Sequence, residues 1–143
     1  MTEFGIVHYP TKERFHGVLW ETKPHPENAA IPVPVRRIRE DHDVAEACEE
    51  WLERIEKGRK VMVSDNPAFD FMWMADLFHR TIGTNPFGFS ARRIGDFYAG
   101  LTGDFRNATK WKSLRRTVHD HNPVNDAMGN LEAFDRMLRG ERA

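Results

Sequence analysis

Two short stretches of this chain carry the residue types that acid–base and metal chemistry require, at spacings that place them around helix starts. The first is His119-Asp120-His121-Asn122-Pro123-Val124-Asn125-Asp126-Ala127. Asn122 is a good N-cap, and Pro123 suits the first helical position, where its missing N–H costs nothing. Apolar residues recur at Val124, Ala127, Met128, Leu131, Phe134 and Leu138, which predicts a helix from Pro123 ending near Gly140. Asp126 then falls in the first turn, where the helix dipole favours a charged carboxylate, and His121 lies on the chain just before it.

The second stretch, Asn66-Pro67-Ala68-Phe69-Asp70, repeats the device: Asn, Pro, and an Asp three residues after the Pro. It follows Lys60-Val61-Met62-Val63-Ser64, an apolar and β-branched run that reads as a buried strand. Matched carboxylates at two helix starts suit a hard divalent cation with oxygen ligands, and a nearby imidazole suits proton transfer. Taken singly, each Asp is better explained by capping and dipole stabilisation than by chemistry. The chemical reading rests on the pair together with His121.

These residues need a frame to hold them. Phe4 to Val7 and Phe15 to Trp20 are β-prone runs separated by the turn-like Tyr9–Arg14, and they predict an antiparallel pair. Pro24, Pro26, Pro32 and Pro34 predict an extended loop over Glu21–Arg39. Asp43-Val44-Ala45-Glu46 has the form of a capping box, and Val44, Ala47, Cys48, Trp51, Leu52 and Ile55 then form one apolar stripe, ended by Gly58. The helix from Pro67 to about Ile82 is apolar on almost every side, which predicts burial against both a sheet and other helices. Ile94 to Leu101 reads as a strand end or a helix, and Asp96 beside it as structural. Trp111 to Val118 is a short basic amphipathic piece leading into the first stretch.

At 143 residues the chain suits one domain, 1–143, of α/β class. A formal net charge of −1 excludes a broad electrostatic grip on nucleic acid, so any such binding must come from local patches. Arg92, Arg93, Lys110, Lys112, Arg115 and Arg116 could meet phosphates, and Phe69, Phe87, Phe89 or Trp111 could stack on bases. A lone Cys48 excludes an intrachain disulfide and a cysteine-based zinc site, and its place on an apolar stripe predicts burial. There is no apolar run long enough to span a membrane and no signal-peptide pattern, so the expected compartment is the cytoplasm.

Ser64-Asp65-Asn66-Pro67-Ala68-Phe69-Asp70, followed by His121-Asn122-Pro123-Val124-Asn125-Asp126-Ala127, resembles the second and third motifs of the DEDDh-type 3′–5′ exonucleases, the superfamily of proofreading and RNase T-like enzymes. Asn85–Asp96 and Trp111–Arg115 resemble a bacterial and phage branch of that group, and the match covers about Phe4 to Leu138. The resemblance implies an RNase H-like mixed sheet flanked by helices. It implies two-metal-ion phosphodiester hydrolysis with Mg²⁺ or Mn²⁺, Asp70 and Asp126 as metal ligands, and His121 as general base. His119 stands two residues too far from Asp126 for the family spacing. The implied substrate is a single-stranded or 3′-overhanging DNA or RNA strand, with Asn66, Phe69, Arg92, Arg93, Lys112 and Arg115 at the strand; a homodimer is compatible with this reading.

One feature departs from the family. The first motif, Asp-x-Glu on the opening strand, is missing: Met1-Thr2-Glu3 has Met in the Asp position, and a soft thioether cannot replace a carboxylate on Mg²⁺. Placing Met1–Val7 on the family's second strand makes Glu3 a surface residue, puts the first strand upstream of Met1 and leaves the sheet without its central member. The alternative to an exonuclease is therefore an inactive remnant or nucleic-acid-binding module of the same fold.

Overall fold

The computed structural model describes Met1, residues 3–19 and residues 35–143, with backbone alone over 35–40. The chain is mixed α/β. Strands β1 (Glu3–Val7) and β2 (Arg14–Val18) form the expected antiparallel hairpin, with Phe4 opposite Gly17 and Ile6 opposite Phe15. Glu3 is exposed and accepts a hydrogen bond across the hairpin from His16 Nε2 at 2.8 Å, so it is a surface residue as expected.

Helix α1 (Val35–Ile55) starts eight residues before the expected cap at Asp43, which lies in its interior. Between Val35 and Asp43 there is no Gly or Pro, and the Arg and Glu residues there favour helix, so the local capping pattern is overrun. The Pro-rich loop expected over Glu21–Arg39 lies outside the described residues up to 34, and from Val35 the backbone is helical. Cys48 on α1 is fully buried, and burial with the neighbouring Glu49 charge pushes its thiol up to about 12, which makes it an inert core group.

Strand β3 (Met62–Ser64) leads into helix α2 (Pro67–Thr81); β4 (Ala91–Arg93) runs parallel to β3 and passes directly into helix α3 (Ile94–Thr102). The ambiguous 94–101 segment is thus helical. Two short 3-10 turns, Phe105–Asn107 and Lys110–Leu114, precede helix α4 (Pro123–Leu138). Two expectations of burial fail. Val61 and Val63 are 47% and 39% exposed, because β3 has only β4 beside it among the described residues. On α2, Phe69 and Met72 are more than half exposed, and only Met74, Leu77 and Phe78 are buried.

The core has two parts. Phe4, Leu19, Ala45, Cys48, Leu52, Met74, Leu77, Phe78 and Phe87 join the hairpin to α1 and α2, with Met62 of β3 packed against them. Ile94, Tyr98, Trp111, Leu114, Ala133 and Met137 join α3, the second 3-10 turn and α4. Helix α4 also crosses β1 so closely that a Cβ at Gly5 would lie 2.4 Å from the carbonyl carbon and oxygen of Pro123. Strand β1 therefore sets the position of the α4 start. No helix among the described residues is long and apolar enough to cross a membrane.

Candidate functional site

The α4 start is built by nested local bonds. Asn122 accepts from the amides of Val124 at 3.0 Å and Asn125 at 3.4 Å, the capping role its sequence position predicts. Asp120 fixes the cap, accepting from the Asn122 amide at 3.0 Å and from Asn125 Nδ2 at 2.8 Å, and these two bonds hold its carboxyl below the ordinary range. The intervening His121 takes a left-handed φ of 64°, a strained choice for a side chain of its size, as the price of closing this turn.

Asp126, in the first turn of α4 and 25% exposed, is met by His119, not His121: His119 Nδ1 lies 2.5 Å from Asp126 Oδ1. The carboxylate can only accept, so the imidazole donates. His121 stacks edge-on against His119, with ring centroids 4.6 Å apart. Among the described residues its ring has no hydrogen-bond partner. Spacing in sequence singled out His121 and passed over His119, because the left-handed turn at His121 leaves the His119 imidazole, and not its own, facing the carboxylate.

At the start of α2 the same residue types behave differently. Asn66 makes no side-chain cap, and the first turn closes through backbone bonds from Phe69 and Asp70 to the Asn66 carbonyl, each 3.0 Å. Asp70 accepts from the buried Ser64 hydroxyl, which in turn accepts from the Asn66 amide at 3.0 Å. Asp70 is thereby fastened to the end of β3, one residue before Asp65.

Asp65 is the focus of the basic residues. Lys112 Nζ lies 2.8 Å from its carboxylate and Arg115 4.0 Å, while Arg93 Nε donates to its carbonyl at 3.2 Å and pairs with Asp96 at 3.1 Å. Arg115 also bonds Asn130 and lies over the Trp111 ring, 4.8 Å from its centroid. Arg92 is exposed, and among the described residues its side chain makes one long contact, 3.4 Å, to the Ala91 carbonyl. Of the aromatic candidates, Trp111 and Phe87 are core, so neither is available for stacking; Phe69 and Phe89 are exposed. An open cleft of about 490 Å³ is lined by Asp65, Lys112, Arg115, Arg116, Thr117 and His119.

The far wall of this cleft is held by Glu132 of α4. Its carboxylate accepts from the amides of Arg116 at 3.0 Å and Thr117 at 2.7 Å and from the Thr117 hydroxyl at 3.0 Å. Burial acts to raise the Glu132 pKa, but these bonds and the Arg116 charge outweigh it and the net shift is downward. A carboxyl lowered on folding stabilises the fold above its unfolded pKa and loses that contribution as pH falls through the folded value. Glu132→Gln is expected to cost about 1–2 kcal/mol at neutral pH. Denaturant unfolding followed against pH should show parent and variant converging as pH drops below the ordinary Glu value of 4.5. A gap that stays constant to strong acid would remove the charge from the account.

Carboxylate oxygens at helix starts have the right chemistry for Mg²⁺ or Mn²⁺. Among the described residues, however, the group of three or more ligating side chains with atoms within 4.8 Å of one another is His42, Asp43 and Glu46 on α1; Asp70, Asp126 and His121 do not converge in that way. As they stand, the two Asp residues supply part of an ion's ligand set.

No family model matches the chain. The 3'-5' DNA exonuclease Cap18 of Escherichia coli is similar to it, 29% identical over 92 residues, which cover 59% of this chain and 49% of that protein. The chain thus spans about half the length of the curated relative it matches.

Proposed function

We propose that this chain is a nuclease domain that shortens a nucleic-acid strand from its 3′ end. The observation that carries the reading is one cleft lined by three cationic side chains, Lys112, Arg115 and Arg116, and by His119, whose imidazole pairs with Asp126. A polyanionic strand is drawn by the first and meets the second. The sequence similarity to a DNA exonuclease supports the same class of reaction.

In place of the single mixed sheet expected from the sequence, the described residues hold two separate two-stranded sheets, β1–β2 and β3–β4; in this reading they are parts of an RNase H-like fold, brought together by the core that Phe4 of β1 and Met62 of β3 share. Asp70 and Asp126 would hold Mg²⁺ or Mn²⁺, which when bound neutralises phosphodiester charge and acidifies water. Ser64 orients Asp70, and His119 with the helix dipole orients Asp126. His121, whose ring nitrogens have no hydrogen-bond partner among the described residues, accepts the proton of the attacking water. Phe69 stacks on a terminal base, a role supported by its exposure at the start of α2 beside Asp70. Because Asp70, Asp126 and His121 do not converge into one ligand set, a second reading stands beside the first: a nucleic-acid-binding module of the same fold that carries out no metal chemistry.

The test is to incubate the chain with 3′- or 5′-labelled single strands of DNA and RNA, and with 3′-overhanging duplex, in Mg²⁺ and in Mn²⁺. Stepwise shortening of the 5′-labelled strand is expected, slowed by about a hundredfold or more in His121→Ala and less in His119→Ala. Greater damage from His119→Ala would transfer the proton-accepting role to His119. Binding without shortening in either metal would favour the second reading.

A further inference from the structure

We propose that the Asp65 carboxylate occupies a backbone-phosphate position in the cleft, so that Asp65 is an internal competitor which an incoming strand displaces from Lys112. The inference rests on the nuclease reading for the identity of the ligand, but its evidence is the cleft alone. Lys112 and Arg115 both face the Asp65 carboxylate, at 2.8 and 4.0 Å, as they would face a phosphate oxygen. Arg116 and Thr117 continue the wall, and Arg116 is exposed. Three cations line the cleft with the Asp65 carboxylate, and Glu132 stands behind the Arg116–Thr117 wall, in a chain whose formal net charge is −1.

Arg115 and Arg116 are not placed there by Asp65. Arg115 is held by Asn130 and by the Trp111 ring, and the backbone amides of Arg116 and Thr117 are held by Glu132. Asp65 is likewise fixed from behind, through Arg93 on its carbonyl. Loss of the Asp65–Lys112 contact would therefore leave a preformed cationic groove. The contact is also easily exchanged: Lys112 and Asp65 are 49% and 33% exposed, and exposed pairs of this kind contribute little and are screened by salt. His119 lines the same cleft and its ring pairs with Asp126, so the exchange at Asp65 would regulate entry of a strand to the reacting end.

The experiment measures binding of a short fluorescein-labelled oligothymidylate to the full chain in EDTA over a range of salt concentrations, where no cleavage can contribute. Asp65→Asn, which keeps the shape and removes the charge, is expected to tighten binding by about threefold or more and to steepen the salt dependence. The double variant Lys112→Ala with Arg116→Ala is expected to weaken binding by about tenfold at low salt and to flatten the log–log salt slope by roughly 1.4, the value for two single-strand phosphate contacts. Lys112→Arg should restore most of the loss due to Lys112. Thermal unfolding of each variant controls for folding, and Arg115 is left intact because it packs on Trp111. Unchanged or weaker binding by Asp65→Asn, or an unchanged slope in the double variant, overturns the groove. The two readings fail separately: strand shortening in Mg²⁺ with no effect of these changes on binding rejects the groove alone, and the expected binding changes with no shortening in any metal reject the nuclease alone.

Discussion

Asp126→Asn is expected to slow metal-dependent strand shortening by about a hundredfold or more while leaving the fold in place, and Asp70→Asn is expected to do the same. Each substitution keeps the size of the side chain and an oxygen that accepts a hydrogen bond. His119 can still donate to residue 126, and the Ser64 hydroxyl to residue 70. What is lost is the negative charge that a hard, strongly hydrated cation requires before it gives up its waters. The measurement pairs the initial rate in Mg²⁺ and Mn²⁺ with the thermal midpoint and with Mn²⁺ binding followed by its effect on water relaxation. A rate within a few-fold of the parent for either variant would remove that Asp from the site. Loss of rate together with a large fall in the midpoint would instead assign it a structural role.

The second large effect is on the frame. Gly5→Ala is expected to destabilise the chain by about 3 kcal/mol, near the upper end for overpacking, and to lower the thermal midpoint by roughly 10 °C. The added Cβ would lie 2.4 Å from the Pro123 carbonyl carbon and oxygen and 2.5 Å from the Val124 amide nitrogen. All three are backbone atoms, so no rotamer change relieves the contact: β1 and the start of α4 must separate. That movement displaces the turn carrying His121, Asn122 and Asp126, so strand shortening should fall as well, even where the protein remains folded. Gly100→Ala supplies the contrast. Gly100 is exposed within α3 and a Cβ there meets nothing within 4 Å, so this change is expected to stabilise by about 0.5–1 kcal/mol through helix propensity. Equal effects from the two substitutions would mean that the β1–α4 contact is not tight.

What the sequence by itself determined is what depends on near neighbours. The helix starts at Pro67 and Pro123, the hairpin between residues 3 and 18 and the burial of Cys48 follow from proline geometry, β-branched runs and apolar periodicity, which act over a few residues. The limits of that reach show in α1, whose start at Val35 overrides a capping pattern at Asp43, and in Asn66, which shares its residue pattern with Asn122 and yet makes no side-chain cap. Tertiary structure alone decided the burial of Trp111 and Phe87, the exposure of Val61 and Val63, and the meeting of Asp65 with Lys112 across more than forty positions of chain. Most of all it decided the arrangement at Asp126. Motif spacing selects His121, whereas the left-handed turn at that residue and the approach of the 115–119 segment, pinned by Glu132, bring His119 to the carboxylate. Spacing along a chain measures distance only where the backbone is regular, and these two histidines stand where it is not.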